Sequence, residues 1–165
     1  HYIMKENAER CYKTLIPCNL YGRHDKFETQ NSHLIPAIIA KIDKAILNKK
    51  NIVEIWGDGN SRREFMYASD LVDFIYFSIE NIKSIPDSIN VGLGYDFSIK
   101  DYYSVVSSAM NYSGSFEYNL DKPAGMKQKL TDVEKLKKLG WEAPTSLEGG
   151  VKETIEFYKK ELKNE

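Results

Sequence analysis

The 165 residues predict an α/β fold. Short apolar runs rich in branched residues alternate with longer segments whose apolar residues recur every three or four positions, a pattern typical of alternating strands and helices. The chain is 42% hydrophobic and 28% charged, the composition of a globular protein. Its length allows one domain with a sizeable core.

The first predicted elements are the end of a helix, a strand and a long helix. The opening segment HYIMKENAER has the pattern of the last turns of a helix. Residues 14–16 predict a strand that stops at Pro17. From Ser32 apolar residues recur at helical spacing for about four turns. Asn31 or Ser32 is predicted to supply the N-cap.

The middle of the chain predicts two strands around a glycine turn, followed by a helix. The strands are IVEIW at 52–56 and REFMY at 63–67, on either side of GDGNS. Ser69 and Asp70 begin a helix that runs through Ile82. INVGLG at 89–94 predicts another strand with a glycine turn.

The last third predicts three helices and one strand. Ser98 and Asp101 form a capping box, as do Thr131 and Glu134, and Gly140 ends the helix that follows. SFEYNL at 115–120 predicts a strand, and an amphipathic helix spans 147–162. No G-x-G-x-x-G segment is present, so the chain shows no dinucleotide-binding loop.

Composition excludes several classes of function. The net charge of −1 argues against a nucleic-acid or membrane surface, and no apolar run is long enough to span a bilayer. Cys11 and Cys18 lack metal-site spacing, which predicts free thiols in a reducing cytoplasm and no metal site.

Three segments could carry chemistry. In the first, PCNLYG follows a strand end, where α/β sheets bind ligands, and His33 lies at the start of the next helix, close to its unpaired N–H groups. Such a site suits an anionic ligand. The alternative is that Asn19 only stabilises a turn and His33 is a surface residue.

The second segment is WGDGNSRREF, which places Trp56 before a glycine turn and Arg62 and Arg63 after it. An indole offers a stacking face, and a guanidinium suits phosphate. The alternative is a β-hairpin with a core tryptophan and solvated arginines. The third segment, KPAGMKQKLTDVEKL, carries four lysines around Pro123 and Gly125 and suits a diphosphate, although basic loops are often only solvated.

Four stretches together resemble a known family. IPCNLYGRHDKFETQNSHLIPAII, IWGDGNSRREFMYASDL, INVGLGYDFSIKD and KPAGMKQKLTDVEKLKKLGW are similar in order and spacing to the C-terminal half of the GDP-L-fucose synthases. These are NADP-dependent 3,5-epimerases/4-reductases of the extended short-chain dehydrogenase/reductase group. The resemblance implies the last Rossmann-sheet strands (residues 1–30) and a small α/β substrate-binding domain (31–165), with the strand near 89–92 returning to the Rossmann sheet.

The resemblance also implies roles for individual residues. It assigns His33 as the general acid of epimerisation, next to the cofactor. The cofactor NADP(H) is expected to contact Pro17, Cys18, Asn19 and Leu20, where Cys18 replaces a common threonine. The GDP-sugar is expected to contact Lys41, Trp56, Arg63 and Lys129. Ala124 replaces a family aspartate, so one substrate hydrogen bond is expected to be absent.

The same resemblance implies that catalysis needs groups outside these 165 residues. The family's catalytic tyrosine precedes a lysine by four residues, whereas Tyr2 and Lys5 are three apart. We therefore expect the real pair, and the glycine-rich cofactor loop, to lie upstream. The expected partners are a GDP-sugar, the upstream Rossmann half and, in the full-length enzyme, a second copy. Two alternatives stay open: an enzyme acting on a GDP-heptose or another nucleotide sugar, and a non-catalytic nucleotide-sugar-binding module.

Overall fold

The computed structural model describes residues 11–28, 32–123 and 125–161. Within that part the strands are β1 (Thr14–Pro17), β2 (Asn19–Tyr21), β3 (Ile52–Trp56), β4 (Arg62–Arg63), β5 (Phe65–Tyr67), β6 (Ser88–Val91), β7 (Phe97–Ser98), β8 (Ser115–Asn119) and β9 (Gln128–Lys129). The helices are α1 (Leu34–Leu47), α2 (Ala68–Glu80), α3 (Ile99–Ala109), α4 (Glu134–Lys138) and α5 (Leu147–Glu161). The predicted opening helix, the Tyr2–Lys5 spacing, Asn31, Ala124 and Leu162 lie outside the described residues.

The strands pair mostly in parallel across long stretches of sequence. β1 pairs with β6, β2 with β5 and β3 with β8, all in parallel register. β4 lies between β7, to which it is antiparallel, and β9, to which it is parallel. Helices connect the parallel partners, so the predicted α/β class is confirmed. The predicted division at residues 30 and 31 stays a prediction.

The β2–β5 pair lies between two hydrophobic cores. Phe65 and Tyr67 of β5 belong to the first core, with apolar residues of α1, β3, α3 and α5. Met66, between them, belongs to the second core, with residues of α2, β6 and α4. Successive side chains of a strand point to opposite faces, so this short strand contributes to both cores.

Three of the predicted helix starts differ from the structure; that of α2 lies at Ala68, one residue before the predicted Ser69. α1 begins one residue after His33, which is its N-cap, while Ser32 Oγ instead accepts a hydrogen bond from the Glu28 backbone N–H at 2.7 Å. α4 has Val133 as its N-cap, so the predicted Thr131–Glu134 capping box is wrong. Thr131 donates its backbone N–H to a buried carboxylate instead, which fixes it outside the helix.

The other helix ends follow local sequence chemistry. The predicted capping box of Ser98 and Asp101 is present in both directions. Gly140 has a φ of 77°, the left-handed conformation that glycine adopts most easily after a helix, so the predicted end is confirmed. α2 ends at Glu80, two residues before the predicted Ile82.

The Trp56 strand does not form a hairpin with the strand that follows it. β3 pairs with β8, and the predicted strand 63–67 is divided at Glu64 into β4 and β5, which join different sheets. Trp56 remains 45% exposed rather than entering the core. The alternative of a hairpin with a core tryptophan is therefore wrong.

Candidate functional site

The carboxyl end of β2 opens into a cavity of about 500 Å³. Leu20 and Val72 line it with apolar groups, and His33 contributes its imidazole. The His33 side chain is 71% exposed, and its Nδ1 lies 3.7 Å from Asp25 Oδ1. The structure thus brings His33 and Leu20, two of the predicted cofactor-side residues, to one cavity. Ligands bind at this end of parallel strands in α/β proteins.

The other residues of the predicted cofactor segment, Pro17, Cys18 and Asn19, are engaged within the fold. Asn19 donates its side-chain N–H to the Glu64 carbonyl at 2.8 Å, so this amide holds β2 against β5 rather than pointing freely into a crevice. Pro17 ends β1, and Cys18 donates its backbone N–H to the Val91 carbonyl at 2.8 Å. Burial, with the negative charge of Glu64, raises the pKa of the Cys18 thiol to about 12, so it is no thiolate nucleophile at neutral pH.

Lys41 of α1 and Trp56 at the end of β3 are in contact. The Lys41 ammonium lies 5.0 Å from the centre of the indole, within the range of a cation–π contact. It also lies 3.4 Å from the Glu54 carbonyl and 3.3 Å from the Tyr103 hydroxyl. Burial lowers the pKa of Lys41 from its usual value, opposed by the charge of Glu54. Two of the predicted substrate residues are thus in contact.

Arg63 and Lys129 lie side by side, because β4 and β9 pair in that register. The Arg63 guanidinium donates to the carbonyls of Arg62 and Met126, at 2.7 and 2.6 Å. The Arg62 Nε lies 2.6 Å from a carboxylate oxygen of buried Asp96, so this arginine ties β4 to the segment before β7. The two neighbouring arginines therefore differ in role, since Arg63 is not engaged by a carboxylate among the described residues.

Sequence reasoning missed Glu64, which joins these segments. This carboxylate is 1% exposed and accepts backbone N–H bonds from Leu93, Gly94 and Thr131 at 2.6 to 2.8 Å. A β-carbon at Gly92 would approach its Oε1 to 2.6 Å, which shows how closely the loop surrounds it. The only signal in the sequence is one acidic residue between an arginine and an apolar strand, which has no unique interpretation.

Sequence reasoning also missed the residues that orient Trp56. Its indole N–H donates to a Glu54 carboxylate oxygen at 2.7 Å, and the Asn119 amide donates to the other oxygen at 2.8 Å. The Asn119 bond, followed by that of the indole, lowers the pKa of Glu54. Glu54 and Asn119 lie on neighbouring strands, β3 and β8, so only their pairing brings them together.

A polar group on the wall of the His33 cavity was also not predicted. The Tyr67 hydroxyl donates to Glu153 at 2.8 Å and accepts from Arg23 Nε at 3.3 Å. Arg23 and Tyr67 line the cavity, and Glu153 lies on α5. This contact fixes the cavity wall to the last helix.

The described residues contain no group of three potential metal-ligating side chains. No helix among residues 11–28, 32–123 and 125–161 is long and apolar enough to cross a membrane. Cys11 and Cys18 form no disulfide bond.

The model of the family described as "NAD dependent epimerase/dehydratase family" matches residues 1–92, more than half of the chain. The chain belongs to this family.

Its similarity to known epimerase/dehydratase family members extends further along the sequence. It is 50% identical to GDP-L-colitose synthase of Yersinia pseudotuberculosis over 164 residues, which are 99% of this chain and 53% of that protein. It is also 50% identical to GDP-L-fucose synthase of Azorhizobium caulinodans over 147 residues, 89% of this chain and 47% of that protein.

A solved structure shares the fold. A GDP-D-glycero-L-gluco-heptose synthase from Campylobacter jejuni, crystallised in the presence of NADPH, is 28% identical and superposes with a TM-score of 0.77. The match covers 97% of this chain and 56% of that one. The chain thus spans about half the length of the relatives it matches, and corresponds to about half of an extended short-chain dehydrogenase fold.

Proposed function

We propose that this chain is the substrate-binding part of an NADP-dependent GDP-sugar 3,5-epimerase/4-reductase. The observation that carries the proposal is the 50% identity, over 164 and 147 residues, to two proteins named as synthases of GDP-linked L-sugars. Such a reaction needs a proton donor beside the cofactor and cationic groups for the diphosphate of the nucleotide. In this proposal the cavity at His33 supplies the first, and the two cation-bearing sites at Trp56 and Arg63 supply the second.

The cavity beside β2 fits a nicotinamide ring. Leu20, Ala68 and Val72 line it with apolar groups, and Leu20 lies in β2, whose carboxyl end opens into it. When bound, NADPH supplies the hydride that reduces the 4-keto carbon. Leu20 would contact the cofactor on this side, while Cys18 and Asn19 hold the strand end in place through their hydrogen bonds.

His33 is the proton donor in this proposal. Epimerisation removes a proton from one face of the sugar and returns one to the other, so it needs two proton-transfer groups. An imidazole exchanges protons near neutral pH, and the exposed His33 ring faces a cavity large enough for a sugar. Asp25, 3.7 Å away, is placed to orient the ring. The other proton-transfer group would come from outside the described residues.

Lys41, Trp56, Arg63 and Lys129 would bind the nucleotide part of the substrate. A guanidinium and two ammonium groups suit the diphosphate, and the exposed indole offers an apolar face to the base or sugar. Similarity to the Campylobacter heptose synthase keeps a GDP-heptose as a second candidate substrate. Product analysis with 4-keto-6-deoxy and 4-keto-heptose GDP-sugars would decide between them.

Titration of the chain with GDP tests the proposal. We expect GDP to bind more tightly than UDP, and Arg63→Ala to weaken GDP binding by roughly 1.5–3 kcal/mol, because a charge-assisted phosphate contact is lost. Arg63→Lys keeps the positive charge, so its GDP affinity should lie between that of the wild type and that of Arg63→Ala. Equal binding of GDP and UDP, or unchanged binding by Arg63→Ala, would contradict the assignment.

A further inference from the structure

A buried carboxylate connects the three strands of the β7–β4–β9 sheet. Asp96, just before β7, accepts a hydrogen bond from Arg62 Nε of β4 on one oxygen at 2.6 Å and from the Gln128 amide of β9 on the other at 2.7 Å. Its side chain is 4% exposed. We propose that Asp96 is a positioning residue, which holds β4 and β9 in the register that places Arg63 beside Lys129. This inference rests on the proposed function, in which those two cations bind the diphosphate.

The strands of this sheet are too short to fix that register by themselves. β4, β7 and β9 have two residues each, and such short pairings are marginally stable in water. Side chains therefore supply what a longer ladder of backbone hydrogen bonds would. Asp96 is suited to this, because a carboxylate paired with a guanidinium forms charge-assisted hydrogen bonds of defined geometry. A second donor of Arg62, Nη2, reaches the Asp96 backbone carbonyl at 2.6 Å, so two groups hold this guanidinium.

The segment before β9 closes over the Arg63 side chain. The Arg62 backbone N–H donates to the Lys127 carbonyl at 2.8 Å, and the Arg63 guanidinium donates to the Met126 carbonyl at 2.6 Å. A β-carbon at Gly125 would lie 3.3 Å from Arg63 Nη2, so the chain passes close to this guanidinium. Movement of β9 away from β4 would remove these contacts and leave the Arg63 side chain without a fixed position.

The charges of this sheet leave two cations for a ligand. Arg62 forms an ion pair with Asp96, so the negative charge of the buried carboxylate is balanced within the sheet. Within the described part of the chain, neither Arg63 nor Lys129 forms an ion pair. Their two positive charges therefore stay available for phosphate oxygens, at a spacing that the Asp96 contacts set.

The experiment uses the 165-residue chain, with GDP as the probe. Asp96→Asn keeps the size of the side chain but removes its charge and one acceptor. Gln128→Ala, at an exposed position, removes only the hydrogen bond from β9, and it carries the test if Asp96→Asn does not fold. Asp87→Asn is the matched control, since Asp87 also has an ion-paired carboxylate but lies just before β6. Each variant is also combined with Arg63→Ala and Lys129→Ala together.

Hydrogen exchange of the Arg62 backbone N–H, which bonds with the Lys127 carbonyl, reports on the β4–β9 contact without any ligand. We expect this amide to exchange about tenfold faster in Asp96→Asn and Gln128→Ala than in the wild type, and within about twofold of the wild type in Asp87→Asn. Urea unfolding of each variant separates local opening of this contact from loss of the whole fold. Exchange at the wild-type rate in Asp96→Asn and Gln128→Ala would overturn the positioning role.

We expect GDP affinity to fall about tenfold in Asp96→Asn and to stay within about twofold in Asp87→Asn. In the chain that lacks Arg63 and Lys129, adding Asp96→Asn should change GDP affinity by less than about twofold, because a positioning residue has no effect once the residues it positions are removed. Equal losses in the two backgrounds, or wild-type affinity of Asp96→Asn where Arg63→Ala weakens binding, would overturn the inference. Equal binding of GDP and UDP, with the exchange and affinity results of Asp96→Asn as expected, would overturn the proposed function alone.

Discussion

His33 is the N-cap of α1, yet its side chain makes no capping hydrogen bond. Asparagine is among the best N-cap residues, because its amide oxygen accepts an N–H of the first turn. We therefore expect His33→Asn to leave the chain folded and to raise its free energy of unfolding by about 0.5–1 kcal/mol. Urea denaturation measures this change. A loss of more than about 1 kcal/mol would contradict the prediction and would mean that the imidazole supports the fold.

Asp70 carries a buried carboxylate with an incomplete set of partners. It is 2% exposed; its Oδ1 accepts from the Thr145 hydroxyl at 2.6 Å, and its Oδ2 has no hydrogen-bond partner among the described residues. Burial raises the pKa of Asp70, opposed by Thr145. The folded state therefore retains a proton that the unfolded state loses. The stabilisation from protonated Asp70 is present below the unfolded pKa of about 3.9, and it is lost as the pH rises through the folded pKa.

The direction of this pH dependence can be tested by substitution. Asp70→Asn removes the titration, so we expect its stability relative to the wild type to be greater at pH 8 than at pH 4, by roughly 1–3 kcal/mol, the cost of an unsatisfied buried group. Urea unfolding at the two pH values measures the difference. Glu80→Gln, at an exposed position of the same helix, is the control for the loss of one negative charge. A difference that does not vary with pH would contradict the prediction.

At the scale of elements, the start of α3 depends on reciprocal hydrogen bonds. The Ser98 hydroxyl accepts the Asp101 backbone N–H, and the Asp101 carboxylate accepts the Ser98 backbone N–H at 2.9 Å. The Ser98 side chain, which also donates to this carboxylate, is the main cause of the lowered pKa of Asp101. A lowered folded pKa means that this stabilisation is present above the unfolded pKa and is lost as pH falls through the folded value.

Ser98→Ala should therefore destabilise the chain by about 1 kcal/mol at pH 7 and by less near pH 3. Thermal or urea unfolding at both pH values measures the effect. Ser104→Ala, an exposed position on the same helix, should change stability by less than about 0.5 kcal/mol. An equal change in the two variants would contradict the prediction, because it would show no contribution of the Ser98 cap.

At the scale of the whole molecule, the two cores and the β2–β5 pair between them determine which surfaces face a ligand. We expect the 165-residue chain by itself to oxidise NADPH no faster than buffer when given a 4-keto GDP-sugar, because it contains no glycine-rich loop to hold the cofactor's diphosphate. Absorbance at the NADPH band measures this, with a full-length relative as the positive control. Turnover above the buffer rate would contradict the assignment of the cofactor's diphosphate site to residues outside this chain.

Much of the fold follows from local chemistry, and so was predictable. The period of apolar residues predicted β1, β3, β6 and β8 and the long helices, and the Ser98 cap and Gly140 acted as expected, because helix ends depend on residues within a turn of each other. The N-cap of α1 and the start of α4 were not predicted, because Ser32 and Thr131 form hydrogen bonds elsewhere, and Thr131 bonds with a residue far away in sequence.

For the candidate site, the sequence by itself determined which residue types stand at which spacing, and this was sufficient to indicate His33, Trp56, Arg63 and the α/β class. Only the tertiary structure decided how those residues are held. Glu64 binds backbone N–H groups, and Glu54 the Asn119 amide, more than twenty residues away in sequence. Lys122 reaches Trp56 because β3 pairs with β8. A hydrogen bond between distant strands leaves no periodic trace in a single sequence, since either partner alone is compatible with an exposed, solvated side chain.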